Sequence, residues 1–334
     1  MAKRKSSLEG MEELNELVTS FNTTEGKELI TIPTGAFSLD VSMGTGGIPL
    51  GRFTEIYGAE STGKTTLALS ICKNALDKGY RVLYDDPEQG LDKSIVKSLL
   101  GEDRMSKLTL AQPDTMEKAL KIAELAIRTK EYELIVLDSI GSMAPLKVKE
   151  DELDDANVAL LSRMLTTFVQ RNAFDVRYNN IAFVGLNQVR DKIGSYYAAF
   201  ETPGGHAWKH LTSIRIQLSK IGDIQSEDEK IGILTKFVIK KNKLANPYKT
   251  FSFPIIFGKG VDSLRDLVEF STVIGILDKG GSYYKFEGET LSNGLTNTVK
   301  YLEEHKDTLD KIVDKCYNNM NLGRSNLYER ENDE

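Results

Sequence analysis

The chain reads as an α/β protein: a mainly parallel sheet flanked by helices, with antiparallel strands at one edge and a small α/β domain near the C-terminal end. Three observations predict this. From about residue 30, short apolar runs alternate with longer amphipathic stretches, the pattern of strands joined by crossover helices. A strand-like run at 52–58 passes through a glycine-bearing loop straight into a helical segment at 64–78. Beyond residue 213, strand-like runs follow one another without a long helix between them, which signals antiparallel pairing at a sheet edge.

Taken in order, residues 8–21 place Leu8, Met11, Leu14, Leu17, Val18 and Phe21 at helical spacing, an apolar face that packs on its own core or on a neighbouring subunit. RFTEIYG (52–58), RVLYDD (81–86), LIVLDS (134–139) and IAFVGLN (181–187) are the strands of the alternating region. SIRIQLSKI (213–221) and TKFVIKKNK (235–243) supply the antiparallel edge. A turn-rich stretch near Gly258–Gly260 marks a boundary, and 262–325 has an apolar periodicity of its own. The expected organisation is an N-terminal element at 1–30, a core at 31–258, a small domain at 259–325 and an acidic tail at 326–334.

Of the 334 residues, 40% are hydrophobic and 28% charged, and the formal net charge is −6. This is an ordinary globular composition, and it argues against a protein coated in positive charge. No apolar run is long enough to cross a membrane, and the basic start MAKRKSSLEG lacks the apolar stretch of a secretory signal, so a cytoplasmic placement is expected. The two cysteines, Cys72 and Cys316, fall in helical segments and are expected as buried thiols, not as a disulfide or zinc site.

The chemistry concentrates after the first long strand. GAESTGKT, Gly58 to Thr65, fits G-x-x-x-x-G-K-[ST], follows a strand and opens a helix. Backbone N–H groups of such a loop turn inward around phosphate, and the helix N-terminus adds unpaired donors. Gly58, Glu60, Ser61, Thr62, Gly63, Lys64, Thr65 and the following Thr66 are therefore candidate nucleotide-binding residues. Lys64 supplies a point charge to the β- and γ-phosphates, and the Thr65 hydroxyl is a ligand for Mg²⁺. Asp138 ends the apolar strand LIVLD, where a carboxylate can take the second Mg²⁺-orienting position.

Hydrolysis needs a group that orients water. Glu88 is the first candidate, because Pro87 turns the chain out of strand 81–86, whose end is expected beside the γ-phosphate; Asp86 is the alternative. Asn187 and Gln188 end strand 181–187, where a neutral amide can respond to a γ-phosphate, although a plain capping amide would look the same.

Beyond single motifs, the chain resembles bacterial and phage-encoded RecA-family recombinases. The resemblance rests on 34–67, PEQGLD (87–92), QPDT (112–115), LIVLDS (134–139), LNQVRDKIG (186–194), TPGGHAWK (202–209) and KKNKLANPYK (240–249), with order and spacing kept from about 31 to 300. It implies a RecA-like ATPase core using ATP and Mg²⁺, partnered by single- and double-stranded DNA in a helical homo-oligomeric filament. It makes Glu88 the catalytic glutamate and Gln188 the γ-phosphate sensor, and places Asp92 and Phe257 against adenine. Lys241 and Lys243 then reach across to the neighbouring subunit's ATP, and the 8–21 helix packs on that neighbour. DNA-binding loops fall at about 151–158 and 195–209, with Arg163, Arg190, Tyr197, Gly204, Gly205 and Lys209 as contacts. Glycines allow close approach to phosphate, and Tyr196, Tyr197, Phe200 and Trp208 offer stacking surfaces for bases.

Several positions depart from the family pattern. Ile95 replaces a tyrosine expected beside the base. Gln170, next to Arg171, stands where a second arginine is usual. Glu150, Asp151, Glu152, Asp154 and Asp155 make the first loop unusually acidic. The implied activity is DNA-stimulated ATP hydrolysis coupled to homologous pairing and strand exchange. An ATP-gated DNA scaffold and a monomeric small-molecule kinase are the other readings; the first lacks a reason for an intact Glu88 and the second for the lysine pair.

Overall fold

A computed structural model describes residues 29–141, 156–191, 200–226 and 229–319 of the chain. The amphipathic 8–21 segment, the acidic tail and most of the acidic first loop lie outside the described residues.

The sheet follows the expected class. Among the described residues, β1 (Thr31–Ile32) and β2 (Ile48–Pro49) form a small antiparallel pair, and nine further strands form one sheet in the order β13-β12-β11-β10-β3-β7-β6-β4-β5. The strands β3 (Arg52–Gly58), β4 (Val82–Asp85), β5 (Leu108–Ala111), β6 (Leu134–Leu137), β7 (Ala182–Gln188) and β10 (Ile214–Ser226) run parallel. Antiparallel strands β11 (Glu229–Asn242), β12 (Thr250–Ile256) and β13 (Gly260–Val261) close one edge. β10 and β11 pair over a longer stretch than the apolar runs suggest, reaching Ser226↔Glu229 in polar sequence, with register shifts at Arg215/Ile216, Lys220/Gly222 and Ile224/Gln225.

Side chains alternate across the sheet, so each strand feeds two layers. Ile56, Tyr84, Val136, Val184 and Ile216 face one core with α2 (Lys64–Asp77) and α3 (Lys93–Leu100), after the short α1 (Phe37–Ser42). Phe53, Leu83, Ile135, Leu137 and Phe183 face the other. That second core follows the short α4 (Glu102–Lys107) and is covered by α5 (Met116–Thr129), α6 (Ala156–Tyr178) and α7 (Gly205–Leu211). The strand cores are apolar on both faces because both faces are covered. Thr115 caps α5, its hydroxyl accepting from the Lys118 N–H at 3.3 Å.

A third apolar cluster belongs to the C-terminal residues. α8 (Ser263–Val273), the meander β14 (Asp278–Gly280), β15 (Tyr283–Phe286) and β16 (Glu289–Asn293), and the helices α9 (Leu295–Glu304) and α10 (Lys306–Asn319) pack together with Phe37 and Val41 of α1. Buried Asp266 ties this unit to the core by accepting from the Ser38 N–H at 2.8 Å. Cys72 and Cys316 are both free and buried, and burial pushes both thiols above their usual range. Among the described residues no helix is long and apolar enough to cross a membrane.

Candidate functional site

The phosphate loop joins β3 to α2. Gly63, the residue before α2, has φ 90, in the left-handed region that favours glycine. A Cβ there would lie 2.2 Å from the Ile255 side chain, and one on Gly58 would lie 2.3 Å from the Leu218 carbonyl, so β10 and β12 hold the loop from behind. Thr62 Oγ1 donates to the Ala59 carbonyl at 2.9 Å. Lys64 Nζ donates to the Gly58 and Ala59 carbonyls at 3.1 and 2.7 Å, inside the loop's own curve. Burial lowers the lysine's pKa against the opposing pull of Asp138, Glu88 and Glu60. Glu60 and Ser61 are exposed at the loop's lip, and Thr66 is half-buried in the first turn of α2.

Asp138 follows β6 and is nearly buried. Its Oδ2 accepts from Thr65 Oγ1 at 2.9 Å and from Tyr84 Oη at 2.7 Å. Burial raises its pKa to about 6, partly offset by those two hydroxyls. The hydroxyl and carboxylate proposed to hold Mg²⁺ thus meet at one point, a hard oxygen pair beside the phosphate loop. Among the described residues no three His, Cys, Asp or Glu side chains are placed to hold a metal by themselves. The fit is therefore to a cation that draws most of its ligands from a phosphate chain.

Glu88 reaches this corner from a distance the sequence does not reveal. β4 is not next to β3; β7 and β6 lie between them. The turn after β4 nevertheless brings Glu88 Oε1 to Ser139 Oγ, which donates to it, and to Gln188 Nε2 at 3.4 Å. Glu88 and Gln188, the candidate base and sensor, are in contact at the C-terminal edge of the sheet.

Asp86, the alternative base, is engaged elsewhere. It is buried and accepts from the N–H groups of Gly90 and Leu91 at 3.3 and 3.0 Å and from Gln112 Nε2 at 3.0 Å. It holds the turn that carries Glu88 and does not face the phosphate loop as a free carboxylate. Asn187 is likewise structural, buried between Glu55 and the Pro203 carbonyl.

Lys241 and Lys243 sit at the other end of the sheet. Lys241 pairs with Arg215, which pairs with Glu55, three residues before Gly58. Strand spacing then puts Lys241 about 10 Å along and about 10 Å across from Gly58. The Nζ of Lys241 donates to the carbonyls of Lys209 and His210, both at 2.7 Å, and that of Lys243 to His210 at 2.9 Å. The pair caps the C-terminal end of α7. Desolvation, then Lys243 and Arg215, lower the pKa of Lys241 to about 8.

The residues expected beside adenine are on the surface. Exposed Asp92 caps α3; its carboxylate accepts from the Ser94 hydroxyl and, at 2.7 Å, from the Ser94 N–H, and these two bonds hold its pKa below the usual range. Phe257, 53% exposed, has the Lys230 ammonium 5.9 Å from its ring. Gly260, just past Phe257, approaches Leu99 of α3. Ile95 is 50% exposed on α3.

The DNA-facing candidates divide. Arg163 is exposed on α6; Arg190 lies in the two-residue strand β8 (Arg190–Asp191), paired with β9 (Phe200–Glu201); Tyr197 is outside the described residues. Gly204 and Gly205 lead into α7, whose Lys209 is half-buried. Their missing Cβ atoms serve packing: a Cβ on Gly205 would lie 3.0 Å from Ser162, and one on Gly204 3.2 Å from Leu165, both on α6. This close approach sets Gly205 beside the turn that bears Arg163.

Trp208 departs from expectation. It is fully buried, 6.0 and 6.3 Å from the rings of Phe53 and Phe183, and unavailable to stack on bases. Room for it comes from Gly185, where a Cβ would lie 2.7 Å from the indole. The helical spacing of GHAWKH, which turns Trp208 inward, was the available signal.

A mostly parallel sheet with a phosphate loop after β3, an acidic residue after β6 two places along the sheet and a glutamate–glutamine pair at the same edge is the arrangement of a P-loop nucleotide-binding core. The sequence matches the RecA N-terminal domain over residues 13–262 and the RecA C-terminal domain over 265–321. It is 38% identical to Protein RecA of Aquifex aeolicus over 318 residues, 95% of this chain and 92% of the relative. With Protein RecA of Teredinibacter turnerae it shares 36% over 303 residues, 90% and 88% of the two chains. The crystal structure of the RadB recombinase has the same fold, with a TM-score of 0.54, 23% identity, and coverage of 69% of this chain and 98% of that one. The chain belongs to the RecA family of DNA recombinases.

Proposed function

We propose that the chain is an ATP-dependent recombinase that assembles on single-stranded DNA as a helical filament, pairs it with homologous duplex and hydrolyses ATP with DNA stimulation. It acts in the cytoplasm. One observation carries this reading: Glu88 and Gln188 touch at the edge where Lys64, Thr65 and Asp138 meet, and in sequence Gln188 leads toward the expected second DNA loop at about 195–209.

Bound Mg²⁺–ATP supplies the phosphoryl group and the charge that holds its oxygens. The protein's own part follows from its residues. The loop N–H groups and Lys64 grip phosphate oxygens, and Thr65 and Asp138 orient the cation. Glu88 orients and deprotonates the attacking water, with Ser139 fixing the carboxylate. Gln188 moves with the state of that corner and passes the change to the DNA loops. Lys241 and Lys243, whose ammonium groups bond to α7 and not to their own loop, complete the site of an adjacent copy, which ties turnover to assembly.

Hydrolysis measured with and without single-stranded DNA tests the reading. A clear rise with DNA that is abolished by Lys64→Ala is expected. An unchanged rate with DNA would refute it.

A further inference from the structure

Glu55 lies on β3, outside the nucleotide corner, yet several functional segments meet on its carboxylate. It is fully buried. Oε1 accepts from Asn187 Nδ2 at 2.9 Å, and Oε2 accepts from Arg215 Nε. Asn187 extends the connection: its Oδ1 accepts from the Gln188 N–H at 3.0 Å, and its Nδ2 also donates to the Pro203 carbonyl at 2.9 Å. Arg215 donates a second N–H to Thr202 Oγ1 at 3.0 Å and stands in register opposite Lys241. The guanidinium also covers the Tyr57 ring at 4.8 Å.

Both carboxylate oxygens are committed to donors on different elements. Gln188 is bound through Asn187, residues 202–203 through both Asn187 and Arg215, and the Lys241 strand through its pairing with Arg215. A shift of 202–203, where the second DNA loop returns to the fold, must drag Asn187 and Arg215 or break charge-assisted bonds in a site shielded from water. Apolar side chains would fill this space at less desolvation cost, so stability alone does not call for an ion pair here.

We propose that Glu55 and Arg215 are positioning residues that couple the return of the second DNA loop to Gln188 on one side and to Lys241 on the other. The proposal rests on the reading above, that DNA stimulates ATP hydrolysis. An amide at position 55 cannot serve both donors, since one of its two ends is an NH₂; an ammonium at 215 cannot reproduce the fork that spans Glu55 and Thr202.

The test compares wild type, Glu55→Gln, Arg215→Lys and Thr202→Val in steady-state hydrolysis with and without a single-stranded oligonucleotide, with KM for ATP and thermal unfolding from the same preparations. The expected result is a split. KM and the DNA-free kcat stay within about two-fold of wild type, while the DNA-stimulated kcat falls about ten-fold in the first two variants and less in Thr202→Val. Thr202→Val keeps the ion pair and loses one hydroxyl, so it decides the matter if the ion-pair variants do not fold. Folded variants stimulated as strongly as wild type overturn the proposal, as does an equal fall in DNA-free and DNA-stimulated rates. Failure of DNA to stimulate wild type strikes the functional reading itself, and the wild-type arm shows which has failed.

Discussion

Replacing Asp85 by asparagine should stabilise the protein in a strongly pH-dependent way. Asp85 ends β4 on the face of Leu83, is fully buried, and among the described residues neither carboxyl oxygen has a hydrogen-bond partner. Burial, with Asp86 next to it, raises its pKa from the ordinary 3.8 to about 8. The folded state therefore keeps a proton that the unfolded chain releases above its ordinary pKa. With the folded pKa raised, stability falls as pH rises between about 4 and about 8 and is flat beyond. The slope is about 1.4 kcal/mol per pH unit, so the penalty at pH 7 is about 4 kcal/mol. Asparagine removes the linked proton and keeps the shape; leucine also removes the unpaired polar atoms, a further gain of about 1–3 kcal/mol. The assay is chemical or thermal unfolding of wild type, Asp85→Asn and Asp85→Leu at pH 5 and pH 8. The advantage of Asp85→Asn should grow by about 4 kcal/mol between the two, or about 6 °C in Tm for a chain of this size. A constant difference across that range would show that Asp85 does not titrate in the folded state as its burial requires, and the argument would fail.

Three other outcomes follow from the site and its packing. Glu88→Gln should lower kcat by about 10²–10⁴ with nucleotide affinity kept, measured by turnover and by binding of a fluorescent ATP analogue; retained turnover would remove Glu88 from the role of base. Gly185→Ala should destabilise by about 1–3 kcal/mol, because its Cβ would meet Ile140 at 2.6 Å and Trp208 at 2.7 Å; an unchanged Tm would mean that Trp208 moves freely. Lys241→Ala with Lys243→Ala should abolish cooperative turnover while nucleotide binding persists; cooperative kinetics in the double variant would contradict a role across an interface.

The sequence made the contiguous parts of the site legible. Gly58 to Thr65 announces itself because strand, loop and helix are adjacent in the chain and the chemistry depends on that adjacency. Asp138 was legible for a similar reason, as the acidic end of an apolar strand. The meeting of Glu88 with Gln188 was not, because it depends on strand order, and β4 lies three places from β3. Local spacing does not encode which strands become neighbours. In sequence only Pro87 sets Glu88 ahead of Asp86; the Gly90 and Leu91 N–H groups folding back show that Asp86 is a turn acceptor. Trp208 was misjudged because aromatic residues beside paired glycines suit a ligand-facing loop. The deciding feature, the gap at Gly185, is more than twenty residues away. Glu55 gave no sign at all, since a single glutamate in an apolar strand shows neither Arg215 nor Asn187 as its partner.

The claim that the ATP site is built from two copies is tested most directly by mixing two inactive variants. Glu88→Gln retains the lysine pair, and Lys241→Ala with Lys243→Ala retains the glutamate. In an equal mixture, about a quarter of the interfaces bring an intact Glu88 against intact lysines. DNA-stimulated hydrolysis should return toward about that fraction of the wild-type rate. A mixture no more active than the sum of its parts would contradict it.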